Sequence, residues 1–144
     1  MKLFLKSRAG FLETYSNHEA AGCRIFMEDA EFMLYELTIN EKEVICQIIT
    51  ATKIPQEPNG LFEEIICDAD LDYLGRDDFW LIGKKLYAEL LAYGFINNEN
   101  DWNSLQYAFL EKHYYFTKTA QKLRGNKKAE YLQSIHLKLT QIKK

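Results

Sequence analysis

Residues that interrupt regular structure are scarce in this sequence. Its 144 residues include only two prolines and seven glycines, which favours long helices over many short strands. No apolar run approaches the roughly 20 residues that cross a bilayer. The apolar stretch that follows Met1 is also too short for a secretory signal peptide. We therefore expect a cytoplasmic protein with no membrane segment.

Cysteines are also few and do not form a recognisable framework. Cys23, Cys46 and Cys67 are odd in number, widely spaced, and include no Cys-x-x-Cys pair. Each lies within an apolar helical pattern. Reduced core thiols are therefore the favoured interpretation, with a redox or metal role as the alternative.

Charge is unevenly distributed, although the net charge is only −3. From Lys112 to Lys144 there are nine lysines and arginines and one acidic residue, Glu130. Such a segment can contact nucleic acid or phosphates. The alternative is a solvated helix face that complements the acidic remainder of the chain. Because the whole chain is acidic, we expect no general binding to nucleic acid.

Hydrophobic periodicity and capping signals predict a single all-α domain over residues 1–144, with about six helices and no strand. The capping box Ser16–Glu19 begins the first helix, which runs to about Tyr35. Asn40 caps the second, and Pro55–Gly60 is the clearest loop. The others are predicted over 61–74, 78–93 and 101–123, and from 127 to near the C terminus. Gly75 is the predicted stop of the third helix, and Asp77 is the predicted cap of the fourth. Asp101 is predicted to open the fifth, and Gly125-Asn126 to separate it from the last.

The third predicted helix contains an acidic segment in which the geometry favours Asp70. At about 100° per residue, Asp70 lies at the margin of one apolar face and Asp68 lies near the opposite side. An acid at the edge of a buried face loses hydration unless a cation or hydrogen bonds compensate it. Asp70 is therefore a candidate metal ligand or catalytic carboxylate, or else a solvated acid or local cap partner of Arg76 or Asp77. The apolar face comprises Phe62, Ile65, Ile66, Ala69 and Tyr73.

Four motifs resemble those of a known superfamily. Residues 67–76, CDADLDYLGR, resemble the distal acidic motif of HD-domain phosphohydrolases, an Ala-Asp-x-Leu pattern in a core helix. Three further stretches are similar to one bacterial branch, in the same order and spacing: residues 10–15 followed by Asn17-His18-Glu19, residues 51–55, and residues 109–113 with Phe116-Thr117. The resemblance implies an N-terminally shortened HD-like helical bundle with a divalent-metal site between helices. That site hydrolyses phosphate esters or nucleotides in the superfamily.

The resemblance also implies roles for particular residues. Asp70 would be the distal metal ligand, His18 would lie near the metal or the phosphate, and Asp68 is a further candidate ligand. The implied cofactor is a divalent cation, namely manganese, iron, nickel, magnesium or zinc. From the residues alone, His18 can equally belong to the helix-capping region.

Other residues are implied contacts to the substrate phosphate. Lys53 and Arg76 are the main candidates and Thr52 is a weaker one. The alternative for Lys53 is to satisfy carbonyls at its helix end. Of the remaining histidines, His113 is interpreted as a packed side chain among aromatic residues and His136 as a surface residue.

The motif that gives the superfamily its name is missing here. In this branch a metal-binding His-Asp pair directly precedes the Gly-Phe segment, where this chain has Ser7-Arg8. Serine is a poor neutral ligand, and Arg8 places a positive charge where a cation needs a carboxylate. We therefore expect an inactive or impaired enzyme that can lack bound metal. A misplaced start, a degenerate family member and a site completed by a second chain are the three explanations.

The shortened N terminus has a structural consequence. Apolar surface that upstream helices would cover should be exposed, and its burial in a homodimer is the simplest remedy. The alternative function is therefore a non-catalytic helical interaction or regulatory module.

Overall fold

A computed structural model describes residues 18–32 and 37–141, in which all regular secondary structure is helical. This part of the chain contains six α-helices, one 3-10 helix and no strand, so the predicted all-α class is confirmed. The capping box at Ser16, the Ser7-Arg8 pair and the 10–15 stretch lie outside the described residues. The elements are α1 (His18–Phe32), α2 (Ile39–Ala51), α3 (Leu61–Asp70), the 3-10 helix (Asp72–Gly75), α4 (Phe79–Ala92), α5 (Glu99–Lys112) and α6 (Lys118–Gln141).

The chain divides into two units at the junction of Asp70 and Leu71. In the first unit, α1 packs against α2 and α2 packs against α3. In the second, α6 packs against α5 and against the 3-10 helix, which α4 also contacts. The single domain over residues 1–144 stays a prediction. Within the two described ranges, no helix combines the length and the apolar character needed to cross a membrane.

The second unit has a continuous hydrophobic core. Phe79 of α4, Leu110 of α5 and Ile135 of α6 are completely buried. The Phe79 ring stacks on the Tyr131 ring with centroids 4.3 Å apart. The Tyr131 hydroxyl in turn donates a hydrogen bond to the Arg76 carbonyl at 2.8 Å. Burial of each such side chain contributes roughly 2 kcal/mol, so this core fixes α4, α5 and α6 together.

The described residues of the first unit bury two carboxylate side chains. Glu19 is 6% exposed and Asp68 is 5% exposed, whereas α2 contributes no fully buried residue. Buried carboxylates are costly unless they find compensating partners. Such groups often mark functional sites, so the first unit is the favoured location of one.

The face predicted to be buried on α3 is largely exposed, so that prediction was wrong. Phe62 is 74% exposed and Ile65 is 47% exposed, while Asp68 is buried rather than solvated. The helix instead directs Cys67 inward, where the thiol donates to the Ala51 carbonyl at 3.1 Å. Periodicity identifies an apolar face, but a neighbouring element decides whether that face is covered.

The predicted break between the last two helices is displaced. The helix predicted over 101–123 ends at Lys112, and α6 begins at Lys118 and runs through Gly125-Asn126. Thr117 caps the new helix, because its hydroxyl oxygen accepts from the Ala120 N–H at 3.2 Å. A glycine inside a helix costs only about 1 kcal/mol, which packing of α6 against the 3-10 helix can offset.

Three helix starts also differ from the sequence-based prediction. Thr38, not Asn40, caps α2 in a complete capping box with Glu41. Asn98, three residues before the predicted start at Asp101, caps α5. Asp78 rather than Asp77 precedes α4, with no capping hydrogen bond from its side chain. The Thr-x-x-Glu signal for α2 was present in the sequence.

Candidate functional site

Asp70 is the last residue of α3, and its environment is unusual for a carboxylate. Burial raises the pKa of the Asp70 carboxyl to about 6. The nearby His18 lowers this pKa, and the Glu19 carboxylate raises it. The end of α3 and the start of α1 therefore lie close enough for their charges to act on one another. A carboxyl group whose pKa is raised toward neutral pH in this way is typical of functional sites.

His18 and Glu19 form the first turn of α1 and contact each other directly. The His18 Nε2 lies 3.1 Å from the Glu19 Oε1. The Glu19 side chain is almost fully buried, whereas the His18 side chain is one-third exposed. Of these two side chains, the imidazole is thus the one that faces solvent. We call His18, Glu19 and Asp70 the acid–imidazole cluster.

Glu19 is the member of this cluster that sequence reasoning missed. The Ser-x-x-Glu pattern favoured helix capping, an assignment that involves the undescribed Ser16. The structure instead places Glu19 beside His18 and near Asp70. A signal was available, since Glu19 directly follows a histidine that had already been selected as a candidate.

The cluster offers suitable donor types for a divalent cation but too few well-placed donors. Carboxylate oxygens and imidazole nitrogens are the usual ligands of manganese, iron, nickel and zinc. Within residues 18–32 and 37–141, however, no group of three histidine, cysteine, aspartate or glutamate side chains is arranged to hold a metal. Asp68 lies two residues from Asp70, about 200° around the helix.

Thr52 and Lys53 lie at the end of α2. The Thr52 hydroxyl donates to the Ile49 carbonyl at 2.7 Å, so its hydrogen already satisfies the helix terminus. Lys53 is exposed and lines a cavity of about 470 Å³. Cys46, Glu57 and Glu63 also line this cavity. Its two carboxylates give Lys53 acidic neighbours.

Arg76 belongs to the second unit, where it is engaged by two carboxylates. Its Nε donates to the Asp78 Oδ1 at 2.9 Å, and its Nη1 lies 3.5 Å from the Asp72 Oδ2. These contacts, chiefly the hydrogen bond to Asp78, raise the pKa of the Arg76 guanidinium further. A phosphate at Arg76 would compete with two fixed anions.

The basic C-terminal segment uses several of its charges within its own unit. Arg124 donates to Asp72 at 2.5 Å, and Lys127 forms an ion pair with Asp77. Burial lowers the pKa of Lys128, whose ammonium donates to the His113 carbonyl. These contacts favour the interpretation of α6 as a helix that complements the acidic part of its own chain.

The other two histidines lie apart from the acid–imidazole cluster in the chain. The His113 ring packs edge-on against Tyr115, with ring centroids 4.7 Å apart. His136 is exposed and has Tyr107 as a ring neighbour. Both placements agree with the packed and surface interpretations.

Comparisons with models of known protein families find no match, and searches of curated proteins and of solved structures find no significant match.

Proposed function

We propose that this chain is a metal-dependent phosphohydrolase-like domain of the HD type, acting on phosphate esters or nucleotides, with an impaired metal site. Asp70 is the distal ligand in this proposal, and His18 faces the metal or the phosphate. The proximity of the Asp70 carboxyl group to His18 carries the proposal, because the motif resemblance requires these two residues to share a site.

Each residue of the cluster has a distinct part in this proposal. When bound, a divalent cation would neutralise phosphate charge and generate hydroxide from water. Asp70 would supply an anionic oxygen to it once its carboxyl group is deprotonated. Buried Glu19 would hold the His18 ring through the 3.1 Å contact at Nε2. These donors alone make a weak site, which agrees with the missing His-Asp pair.

Restoring that pair tests the assignment directly. We expect the double variant Ser7→His with Arg8→Asp to bind Mn²⁺ at least about tenfold more tightly than the wild type, because it adds two ligands and removes a positive charge. Adding Asp70→Asn to the double variant should abolish this gain. Isothermal titration calorimetry and elemental analysis of the purified proteins would measure both effects.

Asp77→Asn in the same double variant is the matched control. It makes the same carboxylate-to-amide change at a side chain that is 89% exposed, so the gain in affinity should persist. The phosphohydrolase proposal fails if the restored pair leaves Mn²⁺ affinity unchanged, or if the gain survives Asp70→Asn.

A helical interaction module is the second candidate, favoured by the exposed apolar face of α3. Leu61, Phe62 and Ile65 are 63%, 74% and 47% exposed. Their spacing places Phe62 and Ile65 on one side of the helix. Contiguous exposed apolar side chains often mark protein–protein contacts, and a second copy of the chain is the partner that the sequence predicts.

We expect sedimentation at tens of micromolar to give the mass of a dimer, and Phe62→Ser to give that of a monomer. Phe95→Ser is the control, because Phe95 is also exposed, at 54%, and lies outside α3. A wild-type chain that is monomeric at these concentrations would contradict this prediction. A dimer that Phe62→Ser leaves intact would show that its interface lies elsewhere.

A further inference from the structure

Two cysteines that are distant in sequence meet between α1 and α2. The Cys23 thiol donates to the backbone carbonyl of Cys46, with Sγ and O 3.4 Å apart. The two helices are close at this point, because a Cβ added to Gly22 would lie 3.5 Å from the Ile49 Cγ2. Cys23 and Cys46 are therefore opposed residues on adjacent helices.

The surroundings of the two thiols support direct contact between them. Burial raises the pKa of the Cys46 thiol to about 11, and a hydrogen bond with the Cys23 side chain raises it as well. The Thr50 hydroxyl lies 3.8 Å from the Cys23 Sγ and donates to the Cys46 carbonyl at 2.8 Å. Both cysteines are free and only partly buried.

Solvent has a route to this pair. Cys46 lines the cavity of about 470 Å³, together with Gln47, Thr50 and Lys53. A small molecule in that cavity would meet the Cys46 side of the pair. Cys67 differs, since it is completely buried and donates its thiol hydrogen to the Ala51 carbonyl.

We propose that Cys23 and Cys46 form a dithiol modification site, which a small disulfide such as oxidised glutathione converts to an intramolecular disulfide. One cysteine, as its thiolate, attacks a sulfur of the small disulfide, forming a mixed disulfide and releasing one small thiolate. The other cysteine then attacks the bound protein sulfur and releases the second. Two protein thiols are oxidised, one small disulfide is reduced to two thiols, and the two protein protons pass to the released thiolates.

The product would link α1 to α2 covalently. A disulfide requires the two Cα atoms to lie within about 7 Å, which adjacent helices with opposed cysteines can satisfy. Since α1 also carries His18 and Glu19, the link would fix the helix that supplies two members of the acid–imidazole cluster. The proposal does not depend on the phosphohydrolase assignment.

Intact mass measurement after incubation of the full chain with oxidised glutathione tests this inference. We expect a loss of about 2 Da per chain, and peptide mapping without reduction should join the peptides that contain Cys23 and Cys46. Cys67→Ser should show the same loss. Cys23→Ser and Cys46→Ser should not show it, and each should instead accumulate a mixed disulfide about 305 Da heavier.

Three results would overturn the proposal. They are a wild-type mass without the 2 Da loss, a disulfide that includes Cys67, and a linkage between two chains. The intact mass and the peptide map of the wild type, both measured without reduction, together distinguish these results from the expected one, so the test does not depend on the folding of any variant.

Discussion

Replacing Gly75 with alanine should destabilise the protein by about 3 kcal/mol. A Cβ at this position would lie 2.5 Å from both the Cβ and the carbonyl oxygen of Arg124, and 2.8 Å from its Cα. Two of these three atoms are backbone, so a change of side-chain rotamer would not relieve the overlap. The 3-10 helix and α6 would have to separate, and both contribute to the buried core of the second unit. Urea unfolding of the two proteins would measure the difference.

Gly125→Ala is the matched control and should have the opposite sign. Gly125 lies inside α6, and a Cβ there would have no atom within 4 Å. Because alanine favours the helix over glycine, a gain of about 0.5–1 kcal/mol is expected. Equal effects of the two substitutions would contradict the close contact between the 3-10 helix and α6.

The metal-free protein should become more stable at pH 7 when Asp70 is replaced with asparagine, by about 3 kcal/mol. Burial raises the folded-state pKa of Asp70 from 3.8 to about 6. The folded state therefore binds more protons than the unfolded state between these two values. The stability associated with the protonated carboxyl is fully present below about pH 4 and is lost as the pH rises through about 6. Asparagine resembles the neutral acid and does not ionise.

Urea unfolding with chelator present, at pH 4 and at pH 7, would measure this effect. The wild type should lose more stability between the two pH values than Asp70→Asn does. Asp77→Asn, at an exposed side chain, should follow the wild type closely. An Asp70→Asn protein that is less stable than the wild type at pH 7 would show that the carboxylate stabilises the folded state.

The stability of Asp70 variants is linked to the proposed metal site. A buried carboxylate that destabilises the metal-free chain is a poor structural element. It becomes favourable once a cation compensates its charge. The stability measurement and the Mn²⁺ measurement therefore examine the same group through independent readouts. Together they would separate a ligand from a satisfied structural acid.

The acid–imidazole cluster could be predicted only in part. Asp70 was selected from its position at the margin of an apolar helical face, which the structure leaves largely exposed, and His18 from its place in a motif. The same periodicity argument put Asp68 near the side opposite the apolar face, and the structure buries it. The angle between two residues on a helix is local information, whereas burial depends on what packs against each side.

The helix boundaries also divide into those set by local sequence and those set by packing. Thr38 and Glu41 sit three residues apart in the Thr-x-x-Glu pattern, so the start of α2 was readable from the sequence. The continuation of α6 through Gly125 could not be predicted from the sequence. It depends on contacts that α6 makes with the 3-10 helix, including the ion pair of Arg124 with Asp72. The low helix propensity of Gly125 was outweighed by the packing of α6 against the 3-10 helix.

The sequence by itself determined that this chain is helical, because few prolines and glycines interrupt its apolar periodicity. That Ser7-Arg8 replaces a metal-binding pair stays a prediction, which depends on the motif resemblance alone. Only the tertiary structure placed Asp70 near His18 and Glu19, and Cys23 beside Cys46. Pairings of this second kind depend on how separate helices pack, and no spacing along one helix encodes them.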